Sequence, residues 1–196
     1  MADFSKIGKS NRSRGAAYER KIAHTLTDGF GVKFKRSPRS GALLREGTFN
    51  GIFLGGDLCC EKDFRFSIEC KNCKDISIES VIKNPTTAPL VKYWCQCVYD
   101  ARAATTSDKI KHPLLFFNMK SVRKDFACVC NDGMMFMMKS IDGVLVHPFY
   151  LSIPSIKGPV RIEIDNKTVD MTDVPPMHIM TIDDFMKYAN SVFYEG

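Results

Sequence analysis

The stretch from Gly55 to Cys73, GGDLCCEKDFRFSIECKNC, decides how this chain is read. From Phe64 to Lys71 it alternates strictly, with Phe64, Phe66, Ile68 and Cys70 on one face and Arg65, Ser67, Glu69 and Lys71 on the other. That period of two is a strand with one buried face. Asp57 and Leu58 begin a preceding strand, and the polar run Glu61-Lys62-Asp63 supplies a turn. A hairpin centred on Asp63 sets Asp57 opposite Glu69, with Cβ atoms about 5 Å apart, where like charges repel. Two carboxylates held that close call for a cation, and hard divalent ions such as Mg²⁺ take carboxylate, carbonyl and water oxygens. The carbonyl of Cys70 offers a third ligand. Lys71 shares the face of Glu69, so its ammonium can steer a water or meet charge developing on a phosphate. An ordinary Glu–Lys pair on a solvated sheet face has the same spacing, and it is the Asp after Gly-Gly that tips the balance.

Working outward, Arg14 to Asp28 has a helical pattern, with Ile22 and Leu26 four apart and Gly29 as a stop. Glu19 precedes them by three and seven residues and so falls on the buried side of that helix. A carboxylate there is costly unless paired or bound to metal. Val32–Arg36 is a short strand, and residues 37–54 are a long Gly, Ser and Arg-rich loop of the kind that carries function. Further along, Leu90–Ala104 predicts a helix and Pro113–Met119 a buried strand. Phe126–Cys130, Met134–Met138, Val144–Tyr150 and Val160–Ile164 predict further strands. Thr181, with Asp184 three residues on, begins a last helix.

The chain of 196 residues can bury one good core, and its 44% hydrophobic and 26% charged content is ordinary for a globular protein. No run of eighteen apolar residues suggests a membrane span. The basic amino terminus lacks the apolar stretch of a secretory signal, which points to the cytoplasm, host cytoplasm if the source is viral. Residues 1–45 hold eleven Lys and Arg against three acids, a net +8 in a chain of net +6. A basic end on a near-neutral body is the footprint expected for binding a polyanion such as DNA, although a solubilising surface has the same charge. Eight cysteines in a reducing compartment are expected as free thiols. Cys70 and Cys73 have C-x-x-C spacing with no second pair, and His24, His112, His147 and His178 show no metal-ligand spacing, so neither zinc nor histidine chemistry is favoured. The Met run at 134–138 reads as core or dimer contact.

At these residues the chain resembles the PD-(D/E)XK nuclease superfamily, with Gly55–Leu58 for the PD element and Ile68–Lys71 for the (D/E)XK element. Within it the pattern is most similar to archaeal-type Holliday junction resolvases, which also occur in phages. Arg14, Gly15 and Glu19 match their R-G…E helix. Lys35, Arg36, Ser37 and Ser40 match a basic strand and a serine-bearing loop. Gly56 stands where the family name has proline, and the resemblance covers residues 14–120.

The resemblance implies an α/β fold, a central mixed β-sheet flanked by helices and restriction-endonuclease-like, with extra carboxy-terminal strands and a helix. Residues 1–13 would be a basic flexible arm, 14–120 the nuclease core, and 121–196 an elaboration of the same domain. It implies Asp57 and Glu69 as ligands of Mg²⁺ or Mn²⁺, Lys71 as the group positioning the nucleophile, Glu19 at a second metal, and Ser40 near the scissile phosphate. Gln96 falls where such nucleases often carry a glutamine. Arg14, Arg20, Lys35, Arg36, Arg39 and Arg45 are the candidate DNA contacts. The function implied is paired cutting of four-way DNA junctions by a homodimer. Two alternatives stand beside it: a restriction-like or repair nuclease on linear, flapped or damaged DNA, and a non-catalytic nucleic-acid binder. Clustered carboxylates facing phosphate argue against the last.

Overall fold

The computed structural model describes residues 4–37, 48–49, 52–53, 56–142, 144–164 and 167–194. The chain opens with a long helix, α1 (Phe4–Phe30), followed by short strands β1 (Phe34–Arg36), β2 (Thr48–Phe49), β3 (Ile52–Phe53) and β4 (Leu58–Cys60). Next come β5 (Phe66–Lys71), helices α2 (Ile78–Lys83) and α3 (Pro89–Ala104), and strands β6 (His112–Met119) and β7 (Lys124–Val129). A short helix α4 (Asn131–Met134) and a 3-10 turn lead to strands β8 (Lys139–Ile141), β9 (Val144–Val146), β10 (Leu151–Ile153), β11 (Ile156–Ile164), β12 (Lys167–Val174) and β13 (Met177–Thr181). Helix α5 (Ile182–Tyr188) follows, its amino end capped by the Thr181 hydroxyl, which accepts from the Asp184 N–H at 3.1 Å.

The central sheet has the order β10-β13-β7-β6-β5. Only β5 and β6 run parallel, joined through α2 and α3, and the other neighbours are antiparallel. This is the mixed α/β, restriction-endonuclease-like arrangement that the sequence implies. Both faces are covered. On one, Leu90, Trp94 and Val98 of α3 and Val160 and Ile162 of the β11–β12 hairpin cover Leu115, Phe117 and Ile179. On the other, Ile22 and Leu26 of α1 and Phe185 of α5 cover Ile68, Leu114 and Phe116. Each such side chain, fully withdrawn from water, contributes about 1.5–3 kcal/mol.

Several predictions from sequence pattern need correction. Helix α1 starts at Phe4 rather than Arg14, so residues 4–13 are helical. It also runs past Gly29 to Phe30 and is closed by Gly31, at φ +64, whose N–H returns to the Thr27 carbonyl at 2.9 Å. Strand β5 is buried on both faces, not one, because α3 covers the Ser67 and Glu69 side. Met134–Met138 is not a strand: α4 and the 3-10 turn occupy it, consistent with the helix tolerance of Met. Of Val144–Tyr150 only Val144–Val146 is a strand. Three of the five central strands lie beyond residue 120, so the carboxy-terminal region builds the sheet.

All eight cysteines are free thiols, seven of them buried and Cys73 half-buried. No helix among the described residues is long and apolar enough to cross a membrane.

Candidate active site

The hairpin expected around Asp63 does not form. Strand β4 pairs with β1, Arg36 opposite Leu58 and Phe34 opposite Cys60, instead of with β5. What brings Asp57 beside β5 is a single parallel bridge between Gly56 and Ile68. The Asp57 N–H donates to the Ile68 carbonyl at 2.7 Å, and its own carbonyl accepts from the Ser37 N–H at 2.8 Å. The Cys70 N–H then donates to Asp57 Oδ2 at 2.9 Å. Asp57 is thus fixed by backbone on both sides and by its own carboxylate.

Gly56 is what permits the approach. Its φ is +84, and a Cβ placed there would lie 2.2 Å from the Ile68 carbonyl oxygen and 2.9 Å from the carbonyl carbon. Proline, whose ring locks φ near −65°, cannot take that conformation. Glycine therefore stands in the place of the motif's proline because this chain delivers its aspartate through a left-handed residue pressed against β5.

On β5, Glu69 is 4% exposed, and Lys71 Nζ lies 2.6 Å from Glu69 Oε1. Lys71 also sits over the ring of Tyr93 on α3, 5.3 Å from its centroid. Glu19, carried by α1, is buried and ion-paired with Arg36 of β1. Beneath these groups is the Cys70 thiol, on which the charges of Asp57, Glu69, Glu19 and Lys71 all act.

The electrostatics follow from that crowding. Burial, and next the charge of Glu69, push the Asp57 carboxyl well above the usual carboxylate range. Lys71 and the Cys70 N–H oppose the shift, and Glu19 adds to it. Burial would depress the Lys71 ammonium, but the adjoining Glu69 outweighs it and raises its pKa, so the side chain stays charged at neutral pH. An aspartate strained upward by a second carboxylate, with a third in range, is a donor set that a divalent cation fits: oxygen ligands, excess negative charge and partial burial. Asp57 and Glu69 are the side chains that would hold it, with the Cys70 main chain alongside and Glu19, paired with Arg36, at the edge.

Of the residues singled out by sequence, Glu19, Asp57, Glu69, Cys70 and Lys71 converge at the carboxy-terminal end of β5. Arg14, Arg20 and Lys35 are exposed on α1 and β1, while Arg36 is committed to Glu19. Gln96 is half-buried on α3, about one turn beyond Tyr93. Ser40, Arg39 and Arg45 lie outside the described residues. Sequence reasoning missed Arg36 as the partner of Glu19, Tyr93 beneath Lys71, and the conformational role of Gly56. A Gly-Gly preceding the aspartate was the one visible signal among these.

The family model described as "Phage putative PDDEXK endonuclease" matches residues 10–189, reaching well past residue 120 into the strands that complete the sheet. No curated protein and no solved structure matches the chain.

Proposed function

The chain belongs to the phage putative PDDEXK endonuclease family, and from that premise we propose that it is a metal-dependent DNA endonuclease acting on branched DNA, four-way junctions foremost. The observation that carries the reading is the convergence of Asp57, Glu69 and Glu19 with the Lys71 ammonium at one end of β5. A divalent cation bound there, Mg²⁺ or Mn²⁺, supplies Lewis-acid activation of water and neutralises charge on the scissile phosphate.

The chain's own groups do the remaining work. Lys71, held protonated by Glu69, acts as a hydrogen-bond donor and positive charge toward the attacking water or a phosphate oxygen, not as a general base. Tyr93 limits the directions the ammonium can take. Arg36 holds the Glu19 carboxylate at the edge of the site. Exposed Arg14, Arg20 and Lys35 meet the phosphate backbone, which makes binding salt-sensitive and indifferent to base sequence. The junction preference is supported by the Arg14, Gly15, Glu19 pattern and the basic strand after it. Two-fold assembly would place two such sites for paired cuts.

The test is cleavage of a labelled four-way junction, a linear duplex and a flap, with Mg²⁺ or with EDTA, beside Asp57→Asn. Junction cutting that needs the metal and vanishes in the variant is expected. Metal-independent cutting, or none of any substrate, would refute the nuclease reading. Cutting confined to the linear duplex would refute the junction preference alone.

A further inference from the structure

The parallel pair β5–β6 has a second chemically loaded end. At its amino-terminal end Phe66 registers with His112, whereas Glu69 registers with Leu115 three residues further on. The two ends are therefore separated by about 10 Å along the strands. There His112, at the start of β6, meets Cys130, just past the end of β7, and Asp132 in α4. Their ligand atoms all lie within 4.8 Å of one another. His112 and Cys130 are eighteen positions apart, so no local spacing announces the cluster; the β6–β7 hairpin brings these two together and α4 adds Asp132.

Each member is prepared differently. The His112 ring is set against Phe136 and Phe66, with centroids 5.3 and 6.0 Å away. Cys130 is 7% exposed; burial pushes its thiol pKa up, and the Gly133 and Asp132 main chain opposes that shift in part. Asp132 is exposed and so can close over an ion. Among the described residues neither the His112 ring nitrogens nor the Asp132 carboxylate makes a hydrogen bond or ion pair elsewhere. Arg65, a cation acting on His112, is turned aside: it hydrogen-bonds the Ser191 carbonyl at 2.8 Å and stacks on Tyr194 and Phe136.

We propose that His112, Cys130 and Asp132 form a second cation site, distinct from the carboxylate site and selective for zinc-type ions. One nitrogen, one sulfur and one oxygen are three ligands of a tetrahedral site whose fourth position is left to water. Ligand atoms in such a site stand about 3.5 Å apart for metal–ligand bonds of about 2.0–2.3 Å, so closing from 4.8 Å or less needs only small side-chain rotations. Binding releases the Cys130 thiol proton to solvent and forms the metal–sulfur bond, with no redox change. The soft thiolate disfavours Mg²⁺, so the two ends of β5–β6 take different ions. Bound there, the ion ties the start of β6 to α4.

The test is a Co²⁺ titration of chelator-treated full-length protein, followed by absorption. One Co²⁺ per chain should bring a thiolate-to-cobalt charge-transfer band, abolished by Zn²⁺ and untouched by excess Mg²⁺. Cys130→Ser should lose the band and weaken Zn²⁺ binding by at least about tenfold, and Asp57→Asn should keep both. No band in the wild type, or a band that survives Cys130→Ser, overturns the proposal. Should Cys130→Ser not fold, His112→Gln and Asp132→Asn carry the same readout, and undiminished Co²⁺ affinity in both overturns it equally.

Discussion

The two ends of the β5–β6 pair differ in how their polar groups are held. At the carboxy-terminal end Asp57, Glu69 and Lys71 are locked by backbone and by one another, and burial with the repulsion between the two carboxylates raises the aspartate. At the amino-terminal end, His112 and Asp132 have no such partners and Cys130 is sheltered by burial. The first end is a preorganised hard-oxygen set under electrostatic strain, the second a relaxed mixed set that an ion must draw together. One strand pair thus offers sites of opposite chemical preference, because α1 and the Gly56 bridge supply carboxylates to one end while the β6–β7 hairpin supplies nitrogen and sulfur to the other.

The largest effect that sharpens this contrast is on catalysis. Glu69→Gln should lower magnesium-dependent cleavage by about 10²–10⁴-fold, since it removes a charge on which the transition state depends. Single-turnover rates on the preferred substrate check it. Cys130→Ser, at the other end, should change the same rate by less than about twofold. A comparable loss in Cys130→Ser would erase the distinction between the ends.

Next in size is Gly56→Ala. A Cβ 2.2 Å from the Ile68 carbonyl oxygen, at φ +84, should cost about 2–5 kcal/mol through strain and overpacking, read as a lower urea midpoint. A variant of wild-type stability would mean that the bridge is not what delivers Asp57.

Smaller, and opposite in sign, is the effect of Asp57→Asn on the metal-free fold. Because the folded state raises the pKa of Asp57, its contribution is favourable below the unfolded value and is lost as pH rises through the folded one. The asparagine escapes that loss. Thermal melting in EDTA should show the variant more stable than wild type at pH 8, with the gap closing as the solution is acidified. Each ~1 kcal/mol of relieved repulsion corresponds to about 2–4 °C in a chain of this size.

The smallest effect is expected from Arg36→Ala. Its side chain is 38% exposed but Glu19 is buried, so losing the pair should cost about 1 kcal/mol in stability. Cleavage should fall less than in Glu69→Gln, because Glu19 is left in place but unguided.

Much of the carboxylate end was legible in the sequence. The alternation from Phe64 to Lys71 identified β5, and the helical spacing of Glu19 to Ile22 and Leu26 exposed the cost that a site would resolve. The route by which Asp57 arrives was not legible. A three-residue strand such as β4 pairs wherever the chain returns, and the parallel bridge depends on one left-handed glycine. The share of the sheet built by β7, β10 and β13 was hidden too, because β10 and β13 pair across long stretches of sequence. Nor could spacing reveal the meeting of His112 with Cys130, which only strand register produces.

The distribution of thiols has a practical corollary. Seven cysteines lie inside the protein, and Cys73, two residues past Lys71, alone is partly open to solvent. A thiol-reactive fluorophore should therefore attach there first, without mutagenesis, and place a reporter at the rim of the carboxylate cluster. Its brightness could then follow nucleic acid arriving at that rim in real time, separating the docking of a substrate from the breaking of its backbone.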